Sequence, residues 1–241
     1  MAIAIAQNVA TPVEDFDGGA SSQISTPGST TAGNLLVLSI SGFNAAGYGT
    51  PTITDSQGNA WTVHGAVPVS NSSGLVSGVL ASAVAGSSAA LTVTVTHAHA
   101  TGNDAVTLGL CEVSGMTSPG LDKFASNQGA AAGTTLTTTT AATTVADEIV
   151  IAVLAQDGSS GTGGGSEPSG YTVLSEQLSS SGTVLIFAYK IVAATGAQSA
   201  TWDNLDFGFS SNNGTAGLVG TFGAGLGGGG GGGITLAWLT A

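Results

Sequence analysis

Two stretches of the chain are apolar almost without a break, and elsewhere apolar residues alternate with hydroxyl-bearing ones. Asn34–Ile40 within AGNLLVLSI and Asp147–Gln156 (DEIVIAVLAQ) are the unbroken runs, the pattern of strands covered on both faces. Leu91–Thr96 (LTVTVT) is the cleanest alternation, with Leu91, Val93 and Val95 predicted inward and Thr92, Thr94 and Thr96 outward. Weaker patterning predicts strands over residues 2–10 (Ile3 and Ile5 on one face), 75–84, 104–113, 134–140, 171–176, 183–192, 198–202 and 216–222. A short edge strand over Gln23–Thr26 is expected to stop at Pro27. Thr52–Asp55 and Ala60–His64 flank Ser56-Gln57-Gly58-Asn59, a turn whose glycine can supply positive φ, and read as a hairpin beside the first buried strand.

The segments between are turns and loops. Val13–Gly19 (VEDFDGG) reads as an acidic turn. Residues 115–133 read as a turn-rich connection with a short extended piece around Leu121–Phe124, and residues 157–170 and 203–214 as surface loops. The expected fold is all-β: a two-sheet antiparallel sandwich, jelly-roll-like, over residues 1–222. An internal echo supports two similar halves, about 30–114 and 146–222. AGNLLVLSI resembles ADEIVIAVL, AWTV resembles GYTV, and VLASAVAGSSAALTVTV resembles IFAYKIVAATGAQSATW, at offsets of 114, 110 and 107 residues.

Residues 223–241 read as a separate element. Seven glycines, Gly227–Gly233, form a flexible or extended spacer before ITLAWLTA. The apolar Ile234, Leu236, Trp238 and Leu239 are expected to act as an arm that adds a strand to a neighbouring subunit, or else to fold back on their own sheet, and Met1–Ala10 is expected to be the second inter-subunit arm.

Composition narrows the partners. The chain has two lysines, no arginine and 14 acidic residues, a net charge of -12. Phosphate neutralisation needs clustered basic residues, so nucleic acid is excluded as a partner, as is an anionic membrane surface. No run approaches the ~20 apolar residues of a membrane helix, and the N-terminus lacks the basic and apolar regions of a secretion signal. Cys111 is the single cysteine, so the chain forms no disulfide with itself.

Candidate chemistry is sparse. His97 and His99 would share a strand face and could chelate a metal, with two ordinary loop-end histidines as the plainer reading. Glu14, Asp15 and Asp17 beside Gly18 suggest a calcium loop but lack its spacing, and Asp203 with Asp206 beside Trp202 is a similar acidic pair. No G-x-S-x-G elbow occurs, and GAGLGG at residues 223–228 precedes no helix. Trp61 and Trp202 read as core or inter-subunit anchors, and Tyr48 and Tyr171 as a possible glycan platform. No cofactor and no enzyme activity are implied.

The order AGNLLVLSI, TPTITDSQGNAWT, LTVTVTHA, LGLCEVSGM resembles a loosely defined family of β-sandwich modules found in bacteriophage virion proteins and some secreted bacterial proteins. The likeness covers about residues 30–222, and TDSQGNAWT is its most specific part. A glycine-rich segment before an apolar C-terminus is similar to the ends of some phage tail and fibre proteins. The resemblance implies a structural virion protein, a head decoration or tail- or fibre-associated component, assembled in the host cytoplasm and exposed on the released particle. Its partners would be other virion proteins and copies of itself, with a host-surface glycan as the alternative. It supplies no catalytic residues.

Overall fold

The structure, a computed structural model, describes residues 2–16, 20–44, 50–70, 75–97, 105–129, 135–157, 165–178, 183–203, 205 and 214–226. Among these there is no helix. The first half of the chain forms β1 (Ala4–Asn8), β2 (Val13–Phe16), β3 (Ser21–Ser29), β4 (Leu35–Asn44), β5 (Thr52–Asp55), β6 (Thr62–Ser70), β7 (Leu75–Val84), β8 (Ala90–Thr96) and β9 (Ala105–Ser114). The second half forms β10 (Gly120–Gly129), β11 (Thr135–Thr139), β12 (Glu148–Asp157), β13 (Thr172–Leu178), β14 (Thr183–Val192), β15 (Ser199–Asp203) and β16 (Thr215–Gly223).

The strands build an all-β antiparallel sandwich from four sheets. Two large sheets, β1-β9-β4-β7-β6 and β10-β16-β12-β14-β13, lie face to face. A small sheet, β3-β8-β5, covers the outer face of the first, and β11-β15 covers the outer face of the second. This layering explains the unbroken apolar runs. On β4, Leu35 and Val37 enter the central core while Leu36, Leu38 and Ile40 face the small sheet. On β12, Ile149, Ile151 and Val153 enter the central core, and Val150, Ala152 and Leu154 pack under β11-β15. Both faces of each large sheet are therefore dry, and alternation disappears from their central strands.

The two halves repeat one topology. Matching β4 with β12, β7 with β14, β9 with β16 and β1 with β10 gives the same strand order in both large sheets. Irregularities recur at matched places: the β6–β7 ladder shifts between Val63 and Gly65, and the β13–β14 ladder between Val173 and Ser175. Likewise β1–β9 shifts between Ile5 and Gln7, and β10–β16 between Leu121 and Lys123. Contacts between halves are reciprocal as well, with β7 on β12 and β16, and β14 on β4 and β9. This is the isologous arrangement of a two-fold dimer, realised within one chain.

Close approach of the large sheets depends on glycines that take a facing side chain. A Cβ added at Gly78 would lie 2.6 Å from Leu218 Cδ1 and 3.1 Å from Ala216 Cβ. One added at Gly109 would meet Phe187 Cδ1 at 3.0 Å. The core is apolar along most of its length, but near the loop-bearing end it contains hydroxyls, where Thr107 Oγ1 and Thr183 Oγ1 are 2.7 Å apart across the halves.

Four local expectations are corrected. Thr52–Asp55 and residues 60–64 do not pair as a hairpin: β5 bonds to β8 and β6 to β7, so the chain crosses between sheets at this turn. The start of the expected acidic turn, Val13–Phe16, is strand β2 on β9. Pro27 does not end β3, which runs to Ser29 through a register shift after Ser25. The connection after Gly115 contains a full edge strand, β10, paired along β16.

A test follows from the glycine notches. Gly78→Ala is expected to lower unfolding stability by about 1–3 kcal/mol through overpacking. Gly28→Ala, whose Cβ would meet only Gln7 Oε1 at 3.5 Å, should change it by less than about 0.5 kcal/mol. Urea titration of both variants measures the difference.

Candidate functional site

The segment TDSQGNAWT is a self-fastening turn. The Asp55 carboxylate accepts hydrogen bonds from the backbone N–H of Gln57 (2.8 Å) and Asn59 (3.1 Å), from Asn59 Nδ2 (3.0 Å) and from Trp61 Nε1 (2.7 Å). Gly58 adopts φ 72 at the apex, where a side chain would be strained. Gln57 Nε2 donates to Thr30 Oγ1 and Ala89 O, and Asn59 Oδ1 accepts from Gly86 N, so the turn clamps two neighbouring turns. The most specific motif of the sequence thus performs structural work. Trp61 packs against the outer core of the first half, and Trp202 is fully buried in that of the second, as core anchors should be.

His97 and Asp15 come together through Ser22. The Ser22 hydroxyl donates to Asp15 Oδ2 at 3.0 Å and lies 3.4 Å from His97 Nε2. Ser22 and His97 are both buried, and the serine bridges the other two groups rather than being activated by the histidine, which is not the order nucleophilic catalysis uses. Among the described residues no three His, Cys, Asp or Glu side chains gather as a metal site. His99 and Asp17, the other half of these two candidate pairs, lie outside the described residues, as does Asp206.

Tyr171 is anchored rather than offered. Its hydroxyl donates to Ser199 O at 2.9 Å, and Lys190 Nζ stands 4.6 Å from the ring centroid. Burial raises the Tyr171 phenol and lowers the Lys190 ammonium from their ordinary values. A sugar stacking on this face would have to displace the lysine. Tyr48 lies outside the described residues, as do the arm residues Ile234, Leu236, Trp238 and Leu239.

Two buried carboxylates occupy related places in the two halves, and no motif or spacing singles out either. Glu112 on β9 accepts from Thr31 N (2.7 Å) and Asn34 Nδ2 (2.6 Å) and is fully engaged. At the position matching Asn34 the second half has Glu148, buried, with neither carboxyl oxygen in a well-formed hydrogen bond. Asp122 projects from the β10 bulge beside it. Lys123 Nζ is 2.6 Å from Asp122 Oδ1, and Thr144 donates to Asp122 through both its N–H and its hydroxyl. Burial and the neighbouring Asp122 charge raise Glu148 to about 7. Burial works to raise Asp122 as well, but the hydrogen bonds from Lys123 and Thr144 and the lysine charge hold it down at about 2. His64, which fills the β6 bulge against Phe222, is lowered by burial to about 4. Burial also pushes up the Cys111 thiol, and the adjacent Glu112 adds to this.

Near Glu148, where the central core reaches the short-turn end of the molecule, an open cleft of about 530 Å³ separates the halves. Ala2 and Ile3 from the first half face Ala146, Asp147, Ile191 and Ala224 from the second. Ile191 is 48% exposed.

No family model, curated protein or solved structure matches this chain.

Two outcomes are expected. Asp55→Ala strips the turn of its shared acceptor and should cost about 1–3 kcal/mol, with a red shift of Trp61 emission, read by chemical denaturation followed through fluorescence. Glu148 is raised above its unfolded value of 4.5, so its contribution is complete below that value and is lost as pH rises through about 7. Thermal denaturation of Glu148→Gln should therefore show less loss of stability between pH 5 and pH 8 than the parent chain.

Proposed function

We propose that this chain is a non-enzymatic structural protein of a bacteriophage virion, a head decoration or tail- or fibre-associated component, that self-associates or docks on a particle lattice. The observation that carries the reading is the character of the two outermost sheets. On one, Gln23 bonds to Thr94 and Ser25 to Thr92. On the other, Thr137 bonds to Thr201 and Thr139 to Ser199. These are rows of hydroxyl and amide groups, already fixed by their cross-strand neighbours, on opposite sides of a pseudo-two-fold body, with Asp203, held by Thr135, as the acidic end of the second row. Pre-ordered side chains lose little entropy on contact, and rows this sparse in charge let a protein of net charge -12 meet copies of itself with little repulsion at the seam.

The commitment of the polar candidates supports the same reading. Asp55, Glu112, Tyr171 and both lysines are engaged in holding turns, bulges and strand edges in place. β1 is paired within its own chain, which leaves the C-terminal segment as the arm that reaches a neighbour by strand addition. On this reading the protein works on the exterior of a particle. Binding of a neutral host-surface glycan is the second reading. It draws on the same hydroxyl rows, and a glycan array with saturable binding lost on replacing Thr94 and Thr201 would favour it.

The test of the structural reading is assembly. Full-length protein is expected in repeated, symmetry-related copies in electron micrographs of the native particle, and a chain ending at Leu226 is expected to fail to incorporate. Incorporation of the shortened chain at the same level would remove the arm, and a native lone monomer would overturn the structural reading itself.

A further inference from the structure

Where β10 begins, it meets the start of β12 in a pair of carboxyl groups, and the matched corner of the first half is built differently. There the β1 bulge residue is Ala6, and Gln7 Nε2, Asn34 Nδ2 and Thr31 N all donate to one carboxylate, Glu112. In the second half Asp122 stands at the place of Ala6, Lys123 at that of Gln7, Glu148 at that of Asn34 and Thr221 at that of Glu112. One carboxylate among neutral donors is thus replaced by two carboxyls and one ammonium. Lys123 Nζ is 2.6 Å from Asp122 Oδ1, so this corner is electrically balanced only while Glu148 keeps its proton.

The surroundings of Glu148 offer no second counter-charge. Glu148 is 0% exposed. A Cβ added at Gly223, its partner on β16, would lie 3.2 Å from Glu148 Oε1 and 2.6 Å from Val145 Cγ2, so the carboxyl and Val145 share the space over that glycine. From β10 it is faced by Asp122 and Lys123, from β16 by the Thr221 hydroxyl, and from the segment leading into β12 by the Thr143 hydroxyl, with Asp147 as the adjacent acid. On β14 its partner is Val192, and Lys190, two residues earlier on the same face, stands over the Tyr171 ring.

Asp122 is also a mechanical joint. Thr144 donates to it through both its N–H and its hydroxyl, and Asp122 itself lies on the bulge of an edge strand. The segment is tied at its other side by Thr143, whose N–H donates to Gly196 O at 3.1 Å and whose hydroxyl accepts from Gly196 N at 3.2 Å. Whatever moves Asp122 therefore moves the fastening between β10 and residues 143–147.

We propose that Asp122 and Glu148 form a proton-operated clasp: while Glu148 holds its proton, Asp122 fastens residues 143–147 to the start of β10, and loss of that proton releases this one corner. Two carboxylates in one desolvated site repel each other. Parting the Thr144 contacts is the smallest movement that separates them and admits water. Ala146 and Asp147 line the open cleft between the halves, so release of the clasp widens that cleft. A buried acid anywhere would make global stability depend on pH; here the geometry confines the effect to one corner and leaves the Glu112 corner fastened. Glu148 is raised from 4.5 to about 7, so the clasp contributes fully below the lower value and is lost as pH rises through the higher one. The device does not depend on what the chain docks on.

Amide hydrogen exchange of the full-length chain reads both corners at once, because Thr144 N and Thr31 N each donate to a carboxylate. After correction for intrinsic rates, protection of Thr144 is expected to fall at least about 10-fold more than that of Thr31 between about pH 5 and about pH 8. In Glu148→Gln this difference should vanish, with the near-ultraviolet circular dichroism of buried Trp202 reporting that the variant is folded. A second measurement needs no variant: the carbon-13 resonance of the Glu148 carboxyl should titrate with the same midpoint as the loss of Thr144 protection. The same pH course for Thr144 and Thr31, a Thr144 loss that persists in folded Glu148→Gln, or separate midpoints in the parent chain would overturn the proposal.

Discussion

Each large sheet in this protein must be dry on both sides, and that requirement governs the rest. A sheet with one wet face can alternate apolar and polar residues, but β4, β9, β12, β14 and β16 have no wet face to use along most of their length. Their side chains must be apolar or small, and their backbones must come close enough to exclude water. Small residues serve this second need. Leu218 reaches into the space over Gly78, and Phe187 into that over Gly109, so the interlock of the sheets is a knob-and-notch fit in which glycine is the notch.

The same requirement accounts for the treatment of polar groups. A carboxylate that enters this layered interior needs donors, and Glu112 finds them in the backbone of Thr31 and the amide of Asn34. In the second half Glu148 stands where the first has Asn34; burial and the nearby Asp122 outweigh the Thr143 and Thr221 hydroxyls, so the proton is retained toward neutral pH. The two halves share a backbone plan down to their bulges but have solved the burial of charge differently. One meets its carboxylate with hydrogen-bond donors, and the other depends on the medium.

Much of this fold was legible in the sequence, for a reason that can be located. Leu35–Ile40 and Ile149–Ala155 could only be doubly covered strands, and Leu91–Thr96 could only be half covered, because their patterns follow directly from which faces meet water. What could not be read was partnership. The Asp55–Trp61 turn has the local chemistry of a hairpin, but turn chemistry sets where the chain bends and not which strand receives it, and here the two arms of the turn enter different sheets. Only the start of β10, around Leu121–Phe124, was legible, because an edge strand needs no apolar run; its full pairing with β16 is a backbone matter. The Asp122–Glu148 pair was invisible because a bulge and the first residue of a distant strand meet only after folding. Of the candidate residues, His97 and Asp15 were brought together, but by a serine that no spacing rule singles out.

Cys111 lies in the central core, at the seam where the two large sheets meet, and is 1% exposed. A thiol so placed, with its proton held more firmly than usual by burial, is shut off from electrophiles while the halves stay together. The chain therefore contains a built-in clock: the speed at which an added maleimide consumes its single thiol reports how often the seam breathes open. No label has to be engineered to hear it, and a molecule locked between neighbours would keep slower time than one adrift in solution.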